Sequence, residues 1–394
     1  MEYTLAPFTP TDAERQEPQA QQYIQTAGHI NDLQVHQQTR TTTSTPSSHG
    51  TSGSNWDIKE VNAVRAIPLL NLPPRRIVPA KFFPGNDHSE FAYMRRSIQA
   101  ASIDDLKAFI SARYEGNPFL AFFLDIAGLI TTDTSEATIA RAHQRSVSGD
   151  SIHSDLSASS DEDSRESASV QALKSFTKAV MSYMGNDTYL FPRTFDRVHL
   201  KSIPNNIEFR WRMAGTTYVA VNDGSVGVNF PGSVSGSDRS SKMPVASFEC
   251  KSRHAGGIKR SSGEPEKFNP TDFAQEVGEM IGSVGAQRSR PVLIKHSDQE
   301  AFVICMHGTL FYISAAYFSP EYIHYIETAE PATIAAGENL LWIRRSIHFD
   351  LKRPEDRGQA LKFFWALVKY IASGEARSNM VAAAIDAARD IPVE

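Results

Sequence analysis

The sequence predicts an α/β protein with a mixed central β-sheet flanked by helices. Apolar residues recur at helical spacing in 170–184, and short β-rich segments separated by Gly and Asn turns fill 207–251. Helical spacing returns at 271–284, and the strands 301–306 and 310–318 follow it. This order of helices, a strand meander, a helix, further strands and a last helix lacks the regular alternation of a doubly wound sheet.

The composition of the 394-residue chain supports a substantial core, because 41% of its residues are hydrophobic. The net charge of −5 argues against a protein that coats duplex nucleic acid through charge alone, although a local basic site is compatible with it. The two cysteines, Cys250 and Cys305, lack metal-ligand spacing. So few cysteines favour a reducing compartment, in which each is a small buried hydrophobe.

Membrane and secretory segments are not expected from this sequence. The N-terminal residues lack the basic start and the apolar stretch of a signal peptide. The longest apolar stretch, 118–130, is interrupted by Asp125 and is too short to span a bilayer. We therefore expect a soluble intracellular protein with no membrane partner, and the sequence does not choose between nucleus and cytoplasm.

Composition divides the chain into five segments. Residues 1–55 are rich in Gln, Thr, Ser and Gly, which predicts a disordered tail, and 56–145 form an N-terminal helical part. Residues 146–169 hold ten Ser and six acidic residues against one Arg, which predicts a disordered insertion able to recruit protein partners. The main core is 170–375, and 376–394 form a C-terminal helix or tail.

The strand 245–251 carries the first candidate site residues. Side chains alternate between the two faces of a strand, so Glu249 and Lys251 point the same way, while Phe248 and Cys250 face the core. The carboxylate suits Mg²⁺, a hard cation that prefers oxygen ligands. The lysine can orient a water and offset charge that builds up on a phosphate.

A second carboxylate lies 26 residues upstream, at Asp223 in an Asn-Asp-Gly turn. If the strand after this turn pairs beside 244–251, Asp223 approaches Glu249. The two carboxylates and the backbone carbonyl of Cys250 would then hold Mg²⁺ or Mn²⁺. Such an ion polarises a phosphate and lowers the pKa of an attacking water.

An acid-x-Lys triplet is a weak signal by itself, because the chain contains four of them. Only Glu249-Lys251 combines a mid-chain strand with an Asp-bearing turn before it. The alternative interpretation is an ordinary surface ion pair on an exposed sheet face. The other triplets lie at the edge of the tail, in a helix and at a strand end: Asp57-Lys59, Asp105-Lys107 and Asp350-Lys352.

The order Asp, some tens of residues, then Glu-x-Lys on the next strand resembles the signature of the PD-(D/E)XK nuclease superfamily. Asn222 stands where many members have Pro. The later segments AQEVGEMIG, VICMHGTLFYISAAYF, EYIHYI and IHFDLKRPEDRGQAL resemble the nuclease-like domains of this superfamily found in filamentous fungi. The resemblance spans roughly 170–375, or from Trp56 onward at its widest extent, and implies a restriction-endonuclease-like core.

The resemblance also implies roles for single residues. Asp223 and Glu249 would be metal ligands, Lys251 would be catalytic, and the Gln or Glu of the following helix would be Gln275. A Glu from the first core helix is another frequent ligand in this superfamily, but the predicted helix 170–184 contains none. Glu166 and Glu208 are the nearest substitutes, and neither is well placed by the predicted elements.

A Gly- and Ser-rich loop after the motif carries the basic residues Arg253, His254, Lys259 and Arg260. They could contact backbone phosphates, since such contacts position nucleic acid without reading its sequence. An ordinary solvated loop is the alternative, and His307 at the following hairpin is interpreted as structural.

The leading functional hypothesis is a Mg²⁺- or Mn²⁺-dependent nuclease acting on DNA or RNA. The second hypothesis is a catalytically inactive module of the same fold that binds nucleic acid or protein partners, and the third is a regulatory protein with no nucleic-acid role. The sequence leaves the oligomeric state open.

Overall fold

The computed structural model describes residues 9–30, 33, 51–52, 56–85, 87–131, 158–190, 199–229, 244–251, 268–329 and 339–389. The helices within these ranges are α1 (Asp12–Arg15), α2 (Pro18–Thr26), α3 (Ile58–Ala63), α4 (Ser89–Ile98), α5 (Ile103–Lys107), α6 (120–131), α7 (Ala158–Tyr183), α8 (Pro270–Arg288), α9 (Pro320–Thr328), α10 (Pro354–Ala372) and α11 (Asn379–Arg389). The strands are β1 (Thr51–Ser52), β2 (Ala66–Leu72), β3 (His199–Ile203), β4 (Ile207–Met213), β5 (Thr216–Asn222), β6 (Gly224–Asn229), β7 (Ala246–Lys251), β8 (Gln299–His307), β9 (Leu310–Phe318), β10 (Leu341–Ser346) and β11 (Phe349–Asp350).

The central sheet has the strand order β2-β10-β9-β8-β7-β6-β3, with β11 paired beside β9. The pairs β2–β10 and β7–β8 are parallel, and the other pairs are antiparallel. All nine residues of β8 are buried, as are all but two of β9, so helices cover both faces of the middle of the sheet. The predicted α/β architecture, a mixed central sheet flanked by helices, is confirmed.

Strands β4 and β5 do not belong to the central sheet, although the sequence predicts a single meander. They form a small antiparallel hairpin sheet, with β1 parallel to β5. The chain leaves this small sheet at Asn222 and enters the central sheet at Gly224, so Asp223 is the one residue between the two sheets. Gly224 has φ 152°, in a region that side-chain-bearing residues rarely adopt.

Helix α8 lies between the two sheets and packs against strands of both. Asn269 caps it by accepting a hydrogen bond from the N–H of Thr271, and Pro270 occupies its first turn. Gly285 allows the close approach to the small sheet, because a Cβ there would lie 2.7 Å from Cβ of Trp211. A helix enclosed in this way is buried on more than one face, which explains why its apolar stripe is not its only buried surface.

Helix α7 packs on the other face of the central sheet, against β3 and β7. Phe176 of this helix is fully buried, and its ring lies near those of Phe122, Phe311 and Phe364. Helix α7 begins at Ala158, twelve residues before the start that the sequence predicts. The added turns continue a packed helix, and extending an existing helix costs far less than starting a new one. The rest of the predicted acidic insertion lies outside the described residues.

The predicted disordered tail also contains ordered structure, at α1 and α2. Ala20 is fully buried and Tyr23 is 3% exposed, with the Tyr23 ring meeting Phe268 and Phe273 edge-on at 6.3 and 5.8 Å. Composition misses this because α2 needs no core of its own: a few apolar side chains dock on a surface that the main core supplies. At the other end of the chain, the segment 376–394 contains helix α11, where the sequence allows a helix or a tail.

No helix in the described part of the chain is both long enough and apolar enough to cross a membrane.

Tyr23→Ala tests whether α2 contributes to the fold. Truncating a buried aromatic ring removes its burial and leaves a cavity, so we expect the free energy of unfolding to fall by about 3 kcal/mol. The matched control is Tyr93→Ala, because Tyr93 is 43% exposed and should change stability far less. Urea denaturation of the two variants measures both values, and equal stability of both with the wild type would contradict docking of α2.

Candidate functional site

The pairing of β6 with β7 brings Asp223, the residue before β6, beside the strand that carries Glu249. The strands pair antiparallel, with Gly224 opposite Phe248. The N–H of Asp223 donates to the carbonyl of Phe248 at 3.0 Å, and Oδ2 of Asp223 accepts from the N–H of Cys250 at 2.8 Å. Asp223 therefore contacts the backbone on both sides of Glu249.

Glu249 and Lys251 lie on the same face of β7, as strand alternation predicts, and their side chains touch. Nζ of Lys251 is 2.7 Å from Oε1 of Glu249, whose side chain is only 6% exposed. Burial acts to lower the pKa of Lys251, but the negative charges of Glu249, Glu166 and Asp223 outweigh it and raise that pKa above its usual value. Lys251 therefore stays an ammonium group at neutral pH.

Asp223 and Glu249 are close enough to repel each other electrostatically. Burial, together with the charge of Glu249, raises the pKa of Asp223 to about 7. Glu279 of α8 adds a third carboxyl group beside Glu249, and burial and the charge of Glu249 raise its pKa well above the usual range. The site thus crowds carboxyl groups around one ammonium group, an arrangement that a divalent cation would relieve.

Glu279 belongs to a polar stripe that runs along the side of α8 that faces the central sheet. The stripe follows helical spacing i, i+4, i+7, i+11 and i+15. Its members are Asp272, Glu276, Glu279, Ser283 and Gln287, of which all but Asp272 are buried. The spacing of the acidic residues in TDFAQEVGEMIG is the signal that could have identified them from sequence.

The middle of this stripe is neutralised by residues of β9 and β10. Glu276 accepts hydrogen bonds from the hydroxyls of Tyr312 and Ser314, both at 2.7 Å, and forms an ion pair with Arg345 at 3.1 Å. Arg345 also donates to the hydroxyl of Tyr312 and lies over its ring. This fully buried group is a structural network, because each partner compensates the charge or the polar atoms of another.

His307 connects this network to the candidate site. It is fully buried and is the residue on β8 that pairs with Lys251. Nε2 of His307 is 2.9 Å from the hydroxyl of Tyr312, and Nδ1 is 3.5 Å from Oδ2 of Asp272. These contacts fit the structural role that the sequence suggests for His307.

The early start of α7 changes the position of Glu166, which the sequence-based elements do not place near the site. Oε1 of Glu166 is 3.6 Å from Nζ of Lys251, so this helix does contribute a carboxylate. Glu208 lies on the small sheet and pairs with Arg210 instead. Asn222, the residue before Asp223, is buried and ties β4 to β7 by accepting from the N–H of Ile207 and donating to Ser247.

The structure does not extend the site to every predicted residue. Gln275 is half-buried on α8, and Glu279, one turn later on the same helix, lies beside Glu249. A catalytic role for Gln275 stays a prediction. The predicted phosphate contacts, Arg253, His254, Lys259 and Arg260, lie outside the described residues.

The donor chemistry of the site fits Mg²⁺ or Mn²⁺, because Asp223 and Glu249 offer carboxylate oxygens. Within the described ranges, however, no group of three or more His, Cys, Asp or Glu side chains is arranged to hold a metal ion. Lys251 neutralises Glu249 instead, so metal binding would require this ion pair to loosen.

Asp223→Asn tests the electrostatic crowding. The carboxyl group of Asp223 has a pKa of about 7 when folded and 3.8 as its ordinary value, so its ionisation disfavours the folded state progressively between these pH values. Between pH 4 and 7 the wild type should therefore lose stability relative to Asp223→Asn, which cannot ionise. Thermal unfolding of both proteins in metal-free buffers measures this, and parallel curves would contradict the assigned crowding.

Comparison of the chain with protein-family models gives no match, and comparison with curated proteins gives no significant match either.

Proposed function

We propose that this protein is a metal-dependent nuclease with a restriction-endonuclease-like core, hydrolysing phosphodiester bonds of DNA or RNA with Mg²⁺ or Mn²⁺. The observation that supports the proposal is the arrangement where β6 pairs with β7. There Asp223 accepts a hydrogen bond from the N–H of Cys250, the residue after Glu249, and Nζ of Lys251 lies 2.7 Å from Oε1 of Glu249. Two neighbouring carboxylates can hold a divalent ion that activates a water, and a charged lysine beside them can offset charge on a phosphate.

Asp223 and Glu249 would hold the ion, with the backbone carbonyl of Cys250 as a further oxygen donor. When bound, the ion supplies Lewis-acid polarisation of the phosphate and a water of lowered pKa. The hydrogen bond from the N–H of Cys250 fixes the carboxylate of Asp223, so the ligand is oriented before any substrate arrives.

Lys251 is suited to stabilise the negative charge that develops on the phosphate during attack. It stays protonated because Glu249, Glu166 and Asp223 surround it, and its side chain keeps 21% exposure. An ammonium group at this place donates to a phosphate oxygen without losing a proton to it. Glu166 and Glu279 enclose the same lysine and glutamate, so each would tune the charge of the site.

The absence of a three-ligand cluster in the described ranges favours a second candidate, a catalytically inactive module of this fold. In that case the Lys251–Glu249 ion pair is a permanent structural contact. The protein would then bind nucleic acid or protein partners without cleaving them.

Lys251→Gln tests catalysis. Glutamine keeps a hydrogen-bond donor for Glu249 but removes the positive charge, so we expect the rate of nucleic-acid cleavage to fall at least about 100-fold, as for other lost transition-state donors. The assay measures cleavage of single- and double-stranded DNA and RNA by the purified protein with Mg²⁺ and with Mn²⁺.

The matched control is Lys352→Gln. Lys352 also follows an acid by two residues, and its Nζ lies 3.8 Å from Oδ2 of Asp350, but strands β8 and β9 separate β11 from β7. This variant should cleave at the wild-type rate. If the wild type cleaves none of the four substrates, the nuclease proposal loses and the inactive module replaces it; if Lys251→Gln cleaves normally, the assigned site is wrong.

Metal binding is testable without catalysis. A ligand that binds only the folded state raises the melting temperature, and the rise is larger for tighter binding. Mn²⁺ should therefore stabilise the wild type, while Asp223→Asn and Glu249→Gln should each reduce the stabilisation. Asp350→Asn is the control, because Asp350 belongs to the other acid-x-Lys triplet near a strand end. An equal Mn²⁺-dependent shift in all four proteins would exclude Asp223 and Glu249 as ligands.

A further inference from the structure

A second candidate binding site lies on the side of α8 that faces the small sheet. A cleft of about 530 Å³ opens between β4, the C-terminal part of α8 and α9. Its lining includes three arginines, Arg210, Arg212 and Arg288, together with Trp211 and Thr217. The volume is within the range of about 300–1,000 Å³ that is usual for small-molecule sites.

This cleft is separate from the carboxylate site. Residues of a helix are rotated by about 100° from one to the next, so Arg288 projects about 180° from Glu279 and about 120° from Glu276. Gly285 contacts Trp211 of the small sheet, whereas Glu279 contacts Glu249 of the central sheet. The two sites therefore lie on opposite sides of one helix.

The charge of the lining favours an anion. Three arginines against one glutamate, Glu327, give the lining an excess of positive charge, although Glu208 outside the lining pairs with Arg210. Guanidinium groups also present planar pairs of donors that fit the oxygens of a phosphate monoester.

The hydrogen bonds of the arginines point to the same ligand. Nε of Arg288 donates to Oε1 of Glu327 at 2.8 Å, but its Nη1 is buried with no hydrogen-bond partner in the part of the chain that the structure describes. Such an unpaired buried donor is costly, and rotation of the guanidinium group toward an anion in the cleft would relieve that cost.

The two arginines of β4 are only weakly engaged. Arg210 pairs with Glu208 at 2.9 Å on the surface, where both side chains are more than half exposed, so this contact exchanges readily for another anion. Arg212 donates one hydrogen bond, to the carbonyl of Gly215 at 3.2 Å, whereas a guanidinium group has five N–H donors.

The cleft also has an apolar wall. Trp211 forms part of the floor and is 2% exposed, and Val284 and Ile326 add apolar surface beside it. We propose that this cleft binds a phosphate monoester of nucleotide size, with the phosphate on the arginines and the base against the apolar wall. The nucleotide is either free or the phosphorylated 5′ end of a strand, since the chemistry is shared.

Calorimetric titration in metal-free buffer tests the proposal with four probes: adenosine 5′-monophosphate, adenosine, and one short DNA strand with and without a 5′-phosphate. At least one phosphorylated probe should bind, and its unphosphorylated counterpart should not. If only the mononucleotide binds, the ligand is a free nucleotide; if only the phosphorylated strand binds, the ligand is a strand end.

Two variants keep the test independent of folding. Arg288→Gln removes the central guanidinium, and the double variant Arg210→Gln/Arg212→Gln changes only exposed residues of β4; each should weaken binding at least about tenfold. Arg113→Gln is the matched control, because Arg113 has the same 60% exposure as Arg210 and also pairs with one acid, Asp105. It should bind as the wild type does.

The titrations contain no metal ion, which the nuclease proposal requires, so they test the cleft separately from that proposal. Failure of both phosphorylated probes to bind would overturn the cleft assignment, whatever the cleavage assays show. Equal binding of phosphorylated and unphosphorylated probes, or full affinity in both arginine variants, would overturn it as well.

Discussion

The enclosure of helix α8 between two sheets is the constraint on which the rest of the architecture depends. Because both sides of the helix are covered, its residues need a suitable partner in every direction. The apolar residues and Gly285 meet the small sheet, where Trp211 approaches the helix backbone closely. The polar stripe meets the central sheet, and its charges need compensation because an isolated buried charge is costly.

That compensation differs along the stripe. At Glu276 it is complete: Tyr312, Ser314 and Arg345 supply two hydrogen bonds and an opposite charge. At Glu279 compensation is incomplete, because its neighbour is another carboxyl group, Glu249. Burial and the charge of Glu249 raise the pKa of Glu279, and Lys251 is the ammonium group that contacts Glu249. A fold that balances charge at one position and crowds it one turn away concentrates electrostatic energy there, as functional sites commonly do.

The same helix separates two chemically opposite surfaces. The side of α8 that faces the central sheet carries carboxyl groups, which suit a cation. The side that faces the small sheet borders a cleft with three arginines, which suit an anion. The crossing at Asp223 connects them through the chain, since β5 belongs to the small sheet and β6 to the central one. The residue proposed as a metal ligand therefore lies next to the small sheet in the chain.

The sequence by itself determined the mixed α/β architecture and the pairing of Glu249 with Lys251, because strand alternation is a local property that needs no knowledge of distant residues. A break in the chain at Asp223 was also readable, since Asn-Asp-Gly is a local signal, but the structure makes it a crossing between two sheets. Only the tertiary structure decided that Glu279 lies beside Glu249, that Glu166 reaches Lys251 and that α2 docks on the core. Each of these depends on which surface a distant segment covers. Sequence periodicity shows which side of a helix is apolar. It does not show that α8 lies between two sheets, so that its polar side is buried as well.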